Sequence, residues 1–511
     1  LSIPSPFPNS FFRHDLTPNS CPEKSGAAQR RLSLRQGEFV RLSATVRGGT
    51  GMHPGAPCTA DVNHSSSTLD PSSLMSLATP FERLINFAIG RRGTMAFDAL
   101  MVTCLVTYVT AFLSIRKATN ISFAILLLLA AFHFLRHQGA LKTAAAIKGS
   151  RLLIVALASL FFVVLLGMLL RGGGDPADLD GPSRYMLAGL LLLFFLDKQI
   201  RFVQILAVAC PVSLILALLA AMVNPEVATR WGGRFATSFV DPNTLGSYAV
   251  ILSFMTLLTL DALGRDRPWL KFLKYAGIAA GVLLATMAAS RGGWVAVPAL
   301  LALWALFRSR LGSRRLAFNV LFIAGFIALG LLLMPDVATR AAGSVGEIRS
   351  SLDGSNTETA AGQRLSIWKL GIALFVERPF SGYGSAGVRE QLALPEFATL
   401  ASPTINTGLI YGGPHNDLLG MLLGSGILGA VSFVLILFVP VYFFWRRRSA
   451  AEHDVRLACE LGICLAVGVF VCGLTNEMLS LKYLASFYGI TIAGLAAQVL
   501  GATPRPGHQS L

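Results

Sequence analysis

From Met95 to about residue 500 the chain alternates between long apolar blocks and short polar connections that hold most of its Lys and Arg. Such blocks are too long and too uniform for core strands or amphipathic surface helices, so they predict membrane-spanning helices. The expected spans are 95–115, 120–136, 151–170, 184–197, 201–222, 243–262, 270–289, 293–307, 316–334, 417–444, 455–475 and 480–500. The block at 184–197 is short for a hydrocarbon core of roughly 30 Å, but the alternation of charge between connections requires it. The expected fold is an all-α integral membrane protein of about 12 transmembrane helices.

The polar pattern divides the chain further. Residues 1–93 are rich in Ser, Pro, Gly and Thr without apolar periodicity, which predicts a disordered or accessory cytoplasmic tail. They begin with no apolar stretch of the secretory-signal kind, and a start at Met75 or Met95 would leave the apolar region intact. Spans one to nine occupy 94–334, a long loop runs from 335 to 415, spans ten to twelve occupy 416–500, and 501–511 form a short cytoplasmic tail. The loop has a helical centre, where Leu365, Trp368, Ile372, Phe375 and Val376 repeat at helix spacing. The run Arg378-Pro379-Phe380-Ser381-Gly382-Tyr383-Gly384 then ends that helix with turn chemistry, and the whole reads as an ordered lid skimming the membrane.

Composition agrees with the pattern. Of 511 residues 53% are hydrophobic and 14% charged, against about a quarter charged in a soluble domain. The net charge of +16 would suggest nucleic acid in a soluble protein. Here the cations lie between spans, where they orient the chain, and no nucleic-acid partner is expected. Placing Arg91-Arg92 inside puts Arg136, Lys148, Lys198, Arg201, Lys271, Lys274, Arg308, Arg310 and Arg446-Arg447-Arg448 inside as well. Both termini are then cytoplasmic and the loop at 335–415 faces outward. Most of the seven cysteines, Cys104, Cys210, Cys459, Cys464 and Cys472 among them, lie inside apolar blocks and read as small core residues without a disulfide framework.

Candidate chemistry gathers on the outward side. Arg230-Trp231-Gly232-Gly233-Arg234-Phe235 leads to Asp241-Pro242-Asn243 before the sixth span, and Ser290-Arg291-Gly292-Gly293 joins the seventh and eighth. Arg364 opens the lid helix, and Pro414-His415-Asn416-Asp417 begins the tenth span. Arg230, Arg234 and Arg291 go against the orientation rule. A guanidinium is always charged and donates two parallel hydrogen bonds, which suits phosphate, and the adjoining glycines allow close approach. The competing reading is a lipid-headgroup contact or a local ion pair. His415 is a candidate general base, against a plain packing role. Asp178 and Asp180 have the spacing of a metal-holding carboxylate pair but sit in a glycine-rich stretch that reads as a solvated turn. Asn476-Glu477 lies at the outer end of the eleventh span. The spans carry little ionisable chemistry, with His133 near a span end the nearest exception, which favours an enzyme at the outer interface over a transporter or flippase.

Together these motifs resemble the O-antigen ligase and O-antigen polymerase superfamily of bacterial inner membranes. The resemblance rests on Arg-x-x-Gly-Arg-Phe followed by Asp241-Pro242-Asn243, on Ser290-Arg291-Gly292, and on Arg364-x-x-x-Trp368. Pro379-Phe380-Ser381-Gly382-Tyr383-Gly384, and His415-Asn416 followed by Gly424-Ser425-Gly426-Ile427-Leu428-Gly429, complete it over roughly 95–500. It implies a GT-C-like membrane fold and an inverting glycosyltransferase that needs no metal or other cofactor. The donor would be a glycan on undecaprenyl pyrophosphate. The acceptor would be the lipid A core in a ligase, or a second lipid-linked glycan in an O-antigen or exopolysaccharide polymerase. His415 would be the base; Arg234 and Arg291, backed by Arg230, would hold the pyrophosphate. Arg364, Trp368, Asn416 and Glu477 would position lid and glycan.

Overall fold

The computed structural model describes residues 94–136, 144–223, 225–261, 266–308, 359–392 and 413–502, with isolated residues between 320 and 350 and at 394 and 409. The expected tail at 1–93 and most of the ninth expected span, 316–334, lie outside the described residues. Regular structure among the described residues is helical. In chain order it comprises α1 (Met95–Thr110), α2 (Ala118–Arg136), α3 (Ala144–Leu170), α4 (Asp180–Lys198), α5 (Phe202–Val223), α6 (Pro225–Arg230) and α7 (Pro242–Leu258). There follow α8 (Pro268–Met287), α9 (Arg291–Phe307), α10 (Ala360–Glu377), α11 (Gly384–Leu392), α12 (Asp417–Arg447), α13 (His453–Gly473) and α14 (Lys482–Gly501).

Among the described residues eight of these segments are long and apolar enough to cross a membrane, and α1, α7 and α9 are shorter apolar helices. The protein is a multi-pass membrane protein. Its surface says the same: Leu128, Leu135, Val155, Leu169, Val223 and Phe438 point outward from α2, α3, α5 and α12. A belt of large exposed side chains of this kind is stable against lipid and costly against water. The short block at 184–197 gains a full turn, because Asp180 starts α4 directly after a 3₁₀ turn at Pro176–Leu179.

The core is α14, packed along α4 and α13, while α8 lies against α5 and α7, and α12 against α13 and α3. Small residues let the backbones approach: a Cβ at Gly277 of α8 would overlap Pro211 of α5, and one at Gly494 of α14 would overlap Phe202. One end of the bundle is tied by ion pairs that the sequence reading passed over. Lys198 meets Asp98 at 3.0 Å, His133 meets Asp197 at 2.8 Å, Lys274 meets Asp266 at 2.8 Å, and Arg308 meets Glu460 at 2.6 Å. These groups lie within two turns or so of helix ends, and each neutralises a charge that the low dielectric would penalise. The five cysteines described are buried and unpaired with one another.

At the opposite end α12 is broken. Ser425 and Gly426 leave helical geometry, and the turn after α10 fills the gap. Ile427 N–H donates to the Pro379 carbonyl at 2.7 Å and Tyr383 N–H to Leu423 O at 2.8 Å. Arg171, just beyond α3, donates to Ser381 O at 2.6 Å and to Gly424 O at 3.3 Å. Carbonyls that a broken helix would leave bare in a low-dielectric setting are thus satisfied by protein. The lid helix α10 seats itself by Ile367, Leu370 and Leu374, while Ile372 and Val376 are exposed. The expected apolar stripe is split: Trp368 and Phe375 pack against this cluster while Ile372 and Val376 face outward, so α10 is apolar on two sides.

Candidate functional site

Four helix starts converge at the end of the bundle that carries the lid, each with a polar cap. Asp241 caps α7, accepting from the N–H groups of Asn243 and Thr244; Ser290 caps α9 by accepting from Gly293. Thr359 caps α10 through Gly362 N–H, and Asn416 caps α12 through Leu419 N–H. Helix starts present the positive end of the peptide dipole and suit anions.

Cross-links between the caps explain the motif spacing. The glycines after α6 adopt left-handed geometry, φ +62° at Gly232 and +82° at Gly233, and so turn Arg234 back onto the bundle. Its Nε donates to Ala288 O at 2.9 Å and its Nη2 to Asn243 Oδ1 at 2.5 Å. Asn243 O in turn accepts from Ser290 Oγ at 3.0 Å. Gly246 and Gly293 allow α7 and α9 to touch, with a Cβ at Gly293 only 3.0 Å from Gly246 O. Asp-Pro-Asn is thus a cap, a first-turn proline and an arginine-orienting amide, and Ser-Arg-Gly is the cap that presents Arg291.

Arg291 is held in a bidentate pair with Glu347, at 2.7 Å and 2.8 Å. Glu347 also accepts from Ala361 N–H at the start of α10. Its hydrogen bonds from Arg291 come first among the causes that hold its carboxyl below the usual range, with Arg364 contributing. Arg364 lies one turn inside α10 rather than opening it; burial, then the Arg291 charge, lowers its pKa. The ion-pair alternative for Arg291 is therefore present in this structure alongside the converging cations. Arg230 ends α6 exposed, and among the described residues no hydrogen bond or ion pair brings its guanidinium into the cluster.

On the opposite wall Trp368 Nε1 donates to Pro414 O at 2.9 Å, tying the lid to the His415 turn. His415 has φ +48°, a left-handed geometry set between Gly413 (φ +68°) and the α12 cap. Burial lowers the His415 pKa first, Arg364 adds to that, and Asp241 opposes it. The ring is therefore neutral over more of the pH range than an ordinary imidazole. Glu477 fills the space under Gly413, where any Cβ would overlap Oε1, and takes a hydrogen bond from Ser480 at 3.0 Å. Burial pushes its carboxyl up to about 6, Ser480 opposes that, and Asp241 adds to it. Asn416 donates to Leu474 O at 3.1 Å.

Sequence reasoning missed Asp417. This carboxylate is 1% exposed and accepts from Met478 N–H at 3.0 Å and from Leu479 N–H at 3.2 Å. It locks the Glu477 segment to the start of α12. Its signal was its place after His415-Asn416, but nothing local pointed to partners sixty residues on. The alternative carboxylate pair separates: Asp178 accepts from Ser385 N–H at 3.3 Å, whereas Asp180 pairs with Arg184 at 3.0 Å and Lys482 at 2.6 Å. Among the described residues no group of three or more His, Cys, Asp or Glu side chains gathers as metal ligands do.

Comparison with known proteins adds a family. Residues 276–434, which carry Ser290, Arg291, Arg364, Trp368 and His415, match the O-antigen ligase family model. An uncharacterized protein of Haemophilus influenzae is 23% identical over 313 residues, 59% of this chain and 75% of that relative. A general O-oligosaccharyltransferase of Acinetobacter baylyi is 25% identical over 284 residues, 55% of this chain and 47% of its own length.

Proposed function

We propose that this chain, which belongs to the O-antigen ligase superfamily, is an inverting glycosyltransferase that moves a glycan from undecaprenyl pyrophosphate to an acceptor hydroxyl. The observation that carries the reading is the gathering of Arg291 and Arg364, with Arg234 bonded at the start of α7, among four capped helix starts beside His415, whose pKa burial and Arg364 lower. A diphosphate leaving group needs its growing charge neutralised more than it needs an acid. Fixed guanidiniums and helix starts supply that, and we assign them the work a divalent cation does elsewhere. Arg291 and Arg364 hold the diphosphate, with Arg234 behind them; Arg230, exposed at the rim, is left to headgroup contact.

His415 takes the proton of the attacking hydroxyl. The oxygen bonds to the anomeric carbon, and the carbon–oxygen bond to the diphosphate breaks with its electron pair on the leaving group. A diphosphate beside Arg364 offsets the cation that depresses His415, so donor binding raises the basicity of the imidazole as the acceptor arrives. Trp368 and Asn416 position lid and turn, and Glu477 lies on the acceptor side with the glycan.

We place the site on the periplasmic face of the bacterial inner membrane, with both termini cytoplasmic, about 12 spans and a GT-C-like fold. In support, Lys198, Lys274, Arg308 and Arg446–Arg448 all lie at the end of the bundle remote from the site. The acceptor is the lipid A core in a ligase, or a second lipid-linked glycan in an O-antigen or exopolysaccharide polymerase. The test is reconstitution with an undecaprenyl-pyrophosphate glycan and both acceptors. Product on the lipid A core supports the ligase and lengthened glycan the polymerase. Transbilayer movement of donor without any transfer would overturn the enzyme reading in favour of a carrier.

A further inference from the structure

The Arg291–Glu347 pair has the geometry of a filled anion seat. Both carboxylate oxygens meet both terminal nitrogens of the guanidinium, at 2.7 Å and 2.8 Å, the same fork-to-fork arrangement that a phosphoryl group adopts. The Ala361 N–H at the start of α10 points to the same carboxylate, and the Arg364 cation acts on it. A helix-start amide, a bidentate arginine and a second arginine form an anion-binding set, and here the chain's own carboxylate takes it. The pair is not sealed in the core: its side chains are 26% and 25% exposed, so a ligand can reach it.

Charge decides what could displace Glu347. One carboxylate brings a single negative charge to two arginines. A monophosphate ester offers one phosphoryl group to the Arg291 fork, where it must compete with an anion already fitted to it. A diphosphate offers a second phosphoryl group that Arg364 can hold at the same time.

We propose that Glu347 occupies the diphosphate's seat in the donor-free protein and raises the affinity any anion must bring to enter it: an anion that engages Arg291 and Arg364 together displaces the carboxylate, and a monophosphate, held by the Arg291 fork alone, does so weakly. The proposal rests on the assignment of these arginines to the diphosphate. Its test therefore measures binding, independently of transfer. The full-length protein in detergent is titrated with inorganic pyrophosphate and with orthophosphate, reading affinity by calorimetry and by thermal shift. The unmodified chain, Glu347→Gln and Arg291→Lys are compared.

The unmodified chain is expected to prefer pyrophosphate. Glu347→Gln keeps the shape, loses the charge, and should bind both anions more tightly. The gain is about tenfold for each, because the carboxylate must leave the Arg291 fork before either anion enters it, and pyrophosphate stays preferred. Arg291→Lys should weaken both. If Glu347→Gln binds orthophosphate no better, or worse, Glu347 is scaffolding and the proposal falls while the arginine seat stands. If Arg291→Lys binds both anions as the unmodified chain does, or if no variant binds either, the seat itself is misassigned and both readings fall together.

Discussion

Ile427 donates its backbone N–H to the carbonyl of Pro379 at 2.7 Å, so α12 completes its hydrogen bonding at the break with a residue of the lid turn. The turn is a missing piece of the helix supplied from 48 residues earlier in the chain. It carries the lid with it: α10 bears Arg364 and Trp368, and α12 begins two residues after His415. The break therefore indexes the diphosphate side of the site against the hydroxyl side.

Gly382 is where this interlock is most exposed to mutation. It sits at φ +58°, and a Cβ there would lie 2.6 Å from Ser425 N. Gly382→Ala must strain its backbone and push against main chain, a combined cost of about 2–4 kcal/mol. Hydrogen exchange across 379–384 should quicken, and transfer should drop with it. Unchanged exchange in this variant would mean that the turn does not depend on its fit in the break.

Much of this was legible in the sequence, for local reasons. Among the described residues apolar blocks place most helix ends to within a few residues, because lipid demands long uninterrupted runs, although α3 begins at Ala144 rather than 151; the capping residues Asp241, Ser290 and Asn416 stand in the motifs themselves. What was not legible depends on distant partners. Glu347 meets an arginine 56 residues away, and Asp417 meets amides 61 and 62 residues on. The stripe of Leu365, Trp368, Ile372, Phe375 and Val376 has correct helical spacing, yet α10 packs chiefly by Ile367, Leu370 and Leu374, with Trp368 and Phe375 joining them and Ile372 and Val376 left exposed. A helix apolar on both sides gives periodicity no means to choose between them.

Arg291→Lys separates charge from geometry. Lysine retains the cation and loses the fork, so a bidentate role predicts a fall in transfer of about 10²–10³. Steady-state rates at saturating and at limiting donor would check it, with donor half-saturation rising as well. A variant that transfers at the unmodified rate would show that Arg291 holds Glu347 and nothing else.

The pH profile tests His415. A base works in its neutral form, so activity is lost as pH falls through the folded pKa. That value lies below the ordinary 6.5, burial and Arg364 being the causes. The acid limb of kcat/KM should therefore sit below pH 6.5, and Arg364→Gln should move it upward while also lowering the rate. Glu477, at about 6, titrates in the same window, so the profile of Glu477→Gln must be taken beside it. If the limb stays in place in Arg364→Gln and vanishes in Glu477→Gln, the carboxyl is the group that titrates and His415 is not the base.

Asp417 offers a test of the scaffold that holds both. Its carboxylate accepts from the N–H groups of Met478 and Leu479, and Gly473 lies so close that a Cβ there would overlap Oδ2. Alanine would leave two buried donors without partners, a loss of about 2–6 kcal/mol at ~1–3 kcal/mol each. Asparagine retains one acceptor oxygen and should lose about half as much. The order of melting temperatures in detergent should thus be unmodified, then Asp417→Asn, then Asp417→Ala. Because the same amides fix the backbone beside Glu477, transfer by Asp417→Asn should fall further than its modest destabilisation accounts for at temperatures where it is folded. Equal melting temperatures for the two variants would mean that the amides find other acceptors, and that Asp417 does not anchor this wall of the site.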